Sequence, residues 1–353
     1  MPNIFEQSLE SFQKNLPFVL YSKPDSEHLI GFFQQDRALH KATTFAEKGF
    51  VFADFEGNQS VLFPEMACEI QTEKYKFDCE KSKDTFVSSS TDGKEAFEVL
   101  VEEGIKAIDK GTFQKVVLSR SEAIQVNDFN FLQVFKKMLS AYPTAFRYVW
   151  FHPEIGMWLG ASPEQLLKVK SSKFKTVALA GTQKYESDVE AIWHEKEKQE
   201  QQFVADFIIA SLDSEVSAME ISQPYTFQAG SLVHLKTDIE GVFKNDFNLM
   251  KVVQVLHPTP AVCGLPKESS KAFILENEGY DRRFYAGFLG ELNWDVLPER
   301  TCDSDFFVNL RCMEIQQNQV QLYIGCGITK DSNPEKEYFE TANKAMTMKK
   351  ILN

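Results

Sequence analysis

The pattern of apolar and polar positions changes character near residue 90. Upstream, short apolar runs are broken by turn-forming residues, as in the alternating GFVFADF of residues 49–55, and they predict short strands and turns with a few helical pieces. The segment SSSTDGKEAF at 88–97 is a linker candidate, and VLVEEGIKAIDKG after it carries apolar residues at helical spacing, with Gly111 as the C-cap. Downstream, strands and helices alternate. Strands are predicted at 115–120, 157–162, 174–181, 232–243, 284–292, 305–315 and 320–328, where β-branched and aromatic residues show partial period-two alternation. Helices are predicted at 189–212, 246–256, 268–277 and 335–352. Short links such as QQNQ at 316–319 favour antiparallel hairpins over alternating βαβ units.

Composition narrows the function classes. A chain of 353 residues with 43% apolar residues and 31 Phe has ample core material for one large domain or two average ones. The net charge of −13 leaves no excess of Lys and Arg to follow a phosphate backbone, so nucleic acid is not expected as the main partner. If the substrate is an anion, a metal ion, Arg, Lys or backbone N–H groups must supply positive charge locally. The amino terminus lacks a basic stretch followed by an apolar one, and no apolar run reaches about eighteen residues, so a cytoplasmic protein without a membrane span is expected. Six cysteines without CxxC spacing indicate neither a disulfide framework nor a zinc site.

Several residues carry candidate chemistry. Lys115 opens the KVVLSR strand and shares a face with Val117 and Ser119. Such a lysine usually points to solvent, but when desolvated it can act as a general base near neutral pH. In GASPEQLL, Ser162 can cap a helical turn that Pro163 opens, and Glu164 then either complements a helix N-terminus or serves as an acid. On the helix HEKEKQEQQFVADFIIASL the apolar stripe is Phe203, Val204, Phe207 and Ile208; Glu200 falls on that inward face, with Glu197 one turn earlier. A carboxylate aimed at the core needs a cation or a donor. On the last helix Glu337, Glu340 and Lys344 lie on one stripe, which a surface ion pair would also explain. That helix follows YIGCGI, where Gly325 and Gly327 would let backbone N–H groups approach an anion closely. HPTPAVCGLPK at 257–267 reads as a rigid loop that shapes a pocket, with His257 structural.

In this order the segments KVVLSR, GASPEQLL, ALAGT, EKEKQEQQFV, VHLKTDIEG, HPTPAVCGLP, DRRFYAGFLGE, NLRC, YIGCGI and EKEYFETANK resemble the chorismate-utilising enzymes, across roughly residues 95–352. That family includes isochorismate synthases, salicylate synthases and the large subunits of anthranilate and aminodeoxychorismate synthases. The resemblance implies an α+β fold of antiparallel sheets packed face to face with helices outside. Residues 1–90 would be its outer β layer and 91–353 the catalytic region, both within one structural domain of a monomer. It further implies that Lys115 activates a water to attack C2 of chorismate while Glu164 protonates the departing C4 hydroxyl. Glu200 and Glu340 match Mg²⁺ ligands, with Glu197 and Glu337 supporting them directly or through water. Arg311, Tyr285, Lys344 and the backbone of Gly325, Cys326 and Gly327 match positions that hold substrate carboxylates, and Gly181, Thr182, His234, Ala261 and Val262 line the pocket. Lys115 stands where anthranilate synthases usually have Gln, Ala180 where aminodeoxychorismate synthases typically have Lys, and Ala261 where salicylate synthases tend to have Thr. All three favour an isochorismate synthase of menaquinone or catecholate siderophore synthesis over a salicylate synthase or a non-catalytic chorismate-binding protein.

Overall fold

The segment FRYVWFH at 146–152 has no polar face, because both faces of its strand are covered. In the computed structural model, which describes residues 2–76, 93–126, 128–184, 191–229, 232–294, 303–316 and 319–352, the chain begins with α1 (Ile4–Gln13), β1 (Phe18–Ser22), β2 (His28–Gln34), β3 (His40–Lys41), β4 (Gly49–Ala53), β5 (Ser60–Pro64) and β6 (Cys68–Lys74). It continues through α2 (Lys94–Asp109), β7 (Lys115–Gln125), α3 (Phe131–Ala141), β8 (Phe146–His152), β9 (Gly156–Ser162), β10 (Gln165–Lys170), β11 (Lys173–Lys184) and α4 (Glu195–Leu212). Then come β12 (Val216–Ile221), β13 (Tyr225–Ala229), β14 (Leu232–Phe243), α5 (Leu249–Leu256), β15 (Gly264–Leu265) and α6 (Lys267–Asn277). The last elements are β16 (Phe288–Leu292), β17 (Asp303–Val308), β18 (Cys312–Gln316), β19 (Gln319–Ile328) and α7 (Pro334–Leu352).

Among the described residues these strands form two antiparallel sheets. The first runs β15-β7-β19-β18-β9-β8-β1-β2-β6; the second runs β12-β14-β11-β10-β17-β16-β4-β5-β3, with β13 also on β14. Alternation in β8 sends Phe146, Tyr148 and Trp150 into the core between the sheets, where they meet Phe52 and Phe307 of the second sheet; the Phe146–Phe307 ring centroids are 4.4 Å apart. Val149 and Phe151 face the opposite way, into a second core under α3 and α7 with Phe135, Met138 and Met348. Each fully buried side chain of this size contributes about 1.5–3 kcal/mol. The fold is α+β, and its strands read as nearly continuous apolar runs because the first sheet has a covered face on each side.

The structure redraws some of the predicted elements. The apolar stretch 305–315 is two strands: β17 lies in the second sheet and β18 in the first, and the chain crosses between them at Asn309–Arg311. Residues 284–287 form a turn ahead of β16, and no helical turn follows Ser162; Pro163 and Glu164 instead link β9 in the first sheet to β10 in the second. Helix α4 starts at Glu195, residues 191–194 being non-helical. The amino-terminal strands extend both sheets, β1, β2 and β6 on one and β3 to β5 on the other, so they do not form a single outer layer. Gly111 does follow α2 with φ of 76°, its N–H bonded to Ile108 O at 2.8 Å. Gln316 pairs with Gln319 across the predicted hairpin, while Gln317, Asn318, Cys79, Cys302 and the first half of the 88–97 linker lie outside the described residues. Cys68, Cys263, Cys312 and Cys326 are not in disulfides. Among the described residues no helix is long and apolar enough to cross a membrane.

Candidate active site

Two of the places where the chain changes sheets, the β9–β10 and β17–β18 links, lie side by side. Ala161 N–H donates to Arg311 O and Val308 N–H donates to Glu164 O, both at 3.0 Å, so the β9–β10 and β17–β18 links are stitched together. Ser162 Oγ accepts from Glu164 N–H at 3.3 Å and donates to Val308 O. Arg311 takes a left-handed φ of 48° at its crossing. Where a chain leaves one sheet, its side chains are free of the pleat and can face a cleft between the layers, and here Glu164 and Arg311 do so.

That cleft, about 960 Å³ including its open mouth, is walled by β7, β11, β14, β19, α4, α7, the 257–266 loop and the two crossings. Lys115 enters from the start of β7, only 2% exposed, with its carbonyl held by Ser270 Oγ at 3.0 Å. Its stem lies across Gly327 of β19. A Cβ on Gly327 would sit 3.1 Å from Lys115 Cε and 3.5 Å from Glu200 Oε2, so the missing side chain lets the lysine reach the α4 carboxylate. Gly325 is equally constrained, since a Cβ there would come within 2.7 Å of the Tyr285 hydroxyl. Period-two alternation puts Tyr323, Gly325 and Gly327 on the cleft face of β19. Cys326, 1% exposed, turns its thiol to the opposite face, leaving only its backbone between the two glycines.

Helix α4 brings Glu197 and Glu200 to the wall. Glu197 Oε2 accepts from His194 N–H at 3.1 Å and so caps its own helix, while Gln201 donates to Thr237 Oγ1 at 2.7 Å and fixes α4 on β14. From α7 come Glu340 and Lys344, paired at 2.6 Å, with Lys344 Nζ also donating to Gly325 O at 3.0 Å. Glu337, one turn earlier, is 3% exposed and does not line the cleft. His234 Nδ1–H donates to Gly181 O at 3.0 Å, because a carbonyl only accepts; this leaves Nε2 as an acceptor. Gly181, Ala261, Val262 and Tyr285 complete the predicted lining, and the Thr182 side chain lies outside the described residues. His257 is structural: its Nε2 bonds Asp54 O at 3.1 Å.

Electrostatics separate the two central groups. Burial pushes the Lys115 ammonium below its ordinary pKa, and Lys344 adds to this, against the opposing pull of Glu200, Glu164 and Glu340. Burial pushes the Glu164 carboxyl up to about 7, with Lys115 and Arg311 restraining the rise. His234 falls to about 4, from burial and then the Arg311 charge, and is neutral at physiological pH. Sequence patterning had passed over Tyr323, Leu179, Leu310 and Pro163 as lining residues. Tyr323 was within reach, because it stands two residues before Gly325 on the same strand face.

The fold is shared with the menaquinone-specific isochorismate synthase MenF from Escherichia coli, at a TM-score of 0.79 and 21% identity, covering 96% of this chain and 89% of that one. The sequence model of the chorismate binding enzymes matches residues 51–353, and the chain belongs to that family. It is 30% identical to the salicylate biosynthesis isochorismate synthase of Pseudomonas aeruginosa, over 75% of this chain and 56% of that protein. It is 31% identical to the isochorismate synthase DhbC of Bacillus subtilis, over 70% of this chain and 65% of that protein. The matched segments thus span less than two thirds of either relative's length.

Proposed function

We propose that the chain is an isochorismate synthase, converting chorismate into isochorismate with Mg²⁺. The observation that carries this reading is the pair Lys115 and Glu164: both are buried in one cleft, and burial drives their protonation equilibria towards each other. A neutral Lys115 takes a proton from a water as its oxygen bonds C2 of chorismate; a protonated Glu164 gives its proton to the C4 hydroxyl, which leaves as water. The ring double bonds shift and no atom is gained or lost overall. Arg311 and Lys344, with the backbone of Gly325–Gly327, are suited to hold the substrate's two carboxylates.

The charge balance of the lining supports the metal. Among the described residues Lys115, Arg311 and Lys344 face Glu164, Glu197, Glu200 and Glu340, so the protein alone does not make the cleft positive for a dianion. Among these residues no set of three or more His, Cys, Asp or Glu side chains converges on one point. Mg²⁺ does not need one, since it keeps several waters and takes one or two carboxylates plus ligand oxygens. Glu200 and Glu340, oxygen donors on α4 and α7, fit that demand and would hold the ion, with Glu197 near enough in sequence to act through water. The bound ion would supply positive charge for a substrate carboxylate.

The test is incubation with chorismate and Mg²⁺ followed by chromatography of the products. Isochorismate alone is the expected result, because Ala261 offers the cleft no hydroxyl where salicylate synthases tend to have Thr. Salicylate with pyruvate would move the chain to that second class, and unchanged chorismate would overturn both. The reading includes a cytoplasmic monomer, which gel filtration addresses in part. Menaquinone and catecholate siderophores are the two product destinations it allows.

A further inference from the structure

Behind the cleft lies a buried ion pair that no step above uses. Strand β15 is only two residues long and pairs with Lys115 and Val116, so beyond it, among the described residues, β7 has an edge without a neighbouring strand. Val117 N–H reaches Cys263 O at 2.7 Å, and the next two groups of that edge are satisfied by side chains. Arg282 Nη2 donates to Val117 O at 2.7 Å, and Ser119 N–H donates to Glu278 Oε1 at 2.7 Å. Glu278 and Arg282 are bonded to each other through Nε and Nη2, and their side chains are 1% and 2% exposed. Ser119 Oγ also donates to Glu278 and lies 2.6 Å from the Tyr280 hydroxyl.

The same guanidinium reaches the rest of the wall. Arg282 Nη1 donates to Val262 O at 2.9 Å, and Arg282 Cζ lies 4.4 Å from the Phe55 ring centroid and 5.7 Å from that of Tyr285. One planar, bidentate group therefore ties together β7, the 257–266 loop and Tyr285, and a lysine could not hold all of these directions at once. We propose that the Glu278–Arg282 pair is the positioning element for Lys115: it replaces the missing strand beside β7 and fixes that strand's distance from Val262 and Tyr285. The proposal rests on the isochorismate synthase reading, since it concerns how the base of that reaction is aimed.

A positioning role has a kinetic signature that a merely structural one lacks. The charged groups matched to the substrate carboxylates, Arg311 and Lys344, hang on the β17–β18 crossing and on α7, outside the clamp, and Tyr285 meets the clamp only at its ring face, its hydroxyl being set against Gly325 of β19. Loosening the clamp should therefore reduce kcat and spare KM. Arg282→Lys, which keeps the charge opposite Glu278, is expected to lower kcat per folded molecule by about 10- to 100-fold with KM for chorismate changed less than about threefold, the size expected of a sub-ångström to ångström misplacement. Ser119→Ala removes only the hydroxyl links to Glu278 and Tyr280 and is the gentler variant should Arg282→Lys fold poorly; a loss of about three- to tenfold in kcat alone is expected. Circular dichroism and the thermal midpoint give the folded fraction. Wild-type kcat per folded molecule in Ser119→Ala and in any folded Arg282→Lys, or a KM that rises as kcat falls, would overturn the proposal. A wild-type protein that leaves chorismate unchanged removes the parent reading instead, and the clamp's catalytic role with it.

Discussion

Two buried glutamates in this molecule have nearly the same acidity and different surroundings. Burial raises both Glu164 and Glu291 to about 7. Glu291, on β16, is enclosed: Tyr21 Oη donates to it at 2.6 Å, the Lys23 ammonium contacts it, and Lys23 also reaches Asp305 Oδ2 at 3.4 Å on the neighbouring strand. Glu164 sits at a sheet crossing and faces a cleft shared with Lys115, Arg311 and His234. A shifted pKa is therefore a property of burial, and it becomes chemistry only where the carboxyl meets open space with a second group tuned the other way. Glu291 joins β16 to the turn after β1; Glu164 is placed to act on a ligand.

The sharpest way to break this comparison is by turnover. Lys115→Ala and Glu164→Gln should each lower kcat by about 10² to 10⁴, with substrate binding largely kept, as measured by steady-state assay of isochorismate formation. Glu291→Gln should leave kcat per folded molecule within about twofold, since its carboxyl touches nothing in the cleft. Equal losses at Glu164 and Glu291 would erase the distinction. The metal reading is sharpened by Glu200→Gln and Glu340→Gln, each expected to raise the Mg²⁺ concentration for half-maximal activity by at least about tenfold. An unchanged Mg²⁺ requirement in both would remove them as ligands.

Stability should show the reverse ranking. Lys23→Met leaves Glu291 and Asp305 buried without their shared ammonium, and breaking a buried pair in this way costs about 3–5 kcal/mol. Urea unfolding should find that loss while KM stays unchanged. A loss under about 1 kcal/mol would mean that the Lys23 cluster is solvated like a surface pair.

How far sequence alone reaches follows the same division. Strands β7, β9, β11, β14 and β19 were legible from composition and alternation, and Glu200 from its place on the α4 stripe. The crossings were not. Residues 305–315 are apolar on both sides of Asn309–Arg311, so no change of period marks the change of sheet, and Glu164 and Arg311 were reached through ordered motifs rather than local pattern. The Glu278–Arg282 clamp was equally hidden, because its role follows from the shortness of β15, which only the strand pairing reveals.

A further separation comes from the pH dependence of turnover. In the proposed reaction protonated Glu164 is the reactive form, so loss of its proton, with a pKa of about 7, accounts for the alkaline fall of kcat/KM, which reports the free protein. In the same proposal neutral Lys115 is the reactive form of the base, so the rise of turnover from the acid side reports its deprotonation. In Glu291→Gln both limbs should persist. In the residual activity of Glu164→Gln the alkaline limb should vanish, and its survival there would assign it to another group.

The smallest effect tests what the two glutamates share. For Glu291 the folded pKa of about 7 lies above its ordinary 4.5, so the folded state holds the proton more tightly than the unfolded chain. Its contribution to stability is therefore greatest below pH 4.5, declines as the pH rises towards 7, and is flat above; the span is at most about 3 kcal/mol. Glu291→Gln, neutral throughout, should lack that decline, so the stability difference between wild type and variant should shift against the wild type between pH 5 and pH 8. Glu164→Gln should remove a decline of the same sign, because burial raises both carboxyls for the same reason. A difference that stays constant with pH at Glu291 would show that Lys23 keeps its carboxylate ionised throughout. In that case the two glutamates would differ in acidity as well as in exposure to the cleft, and Glu164 alone would carry the raised pKa.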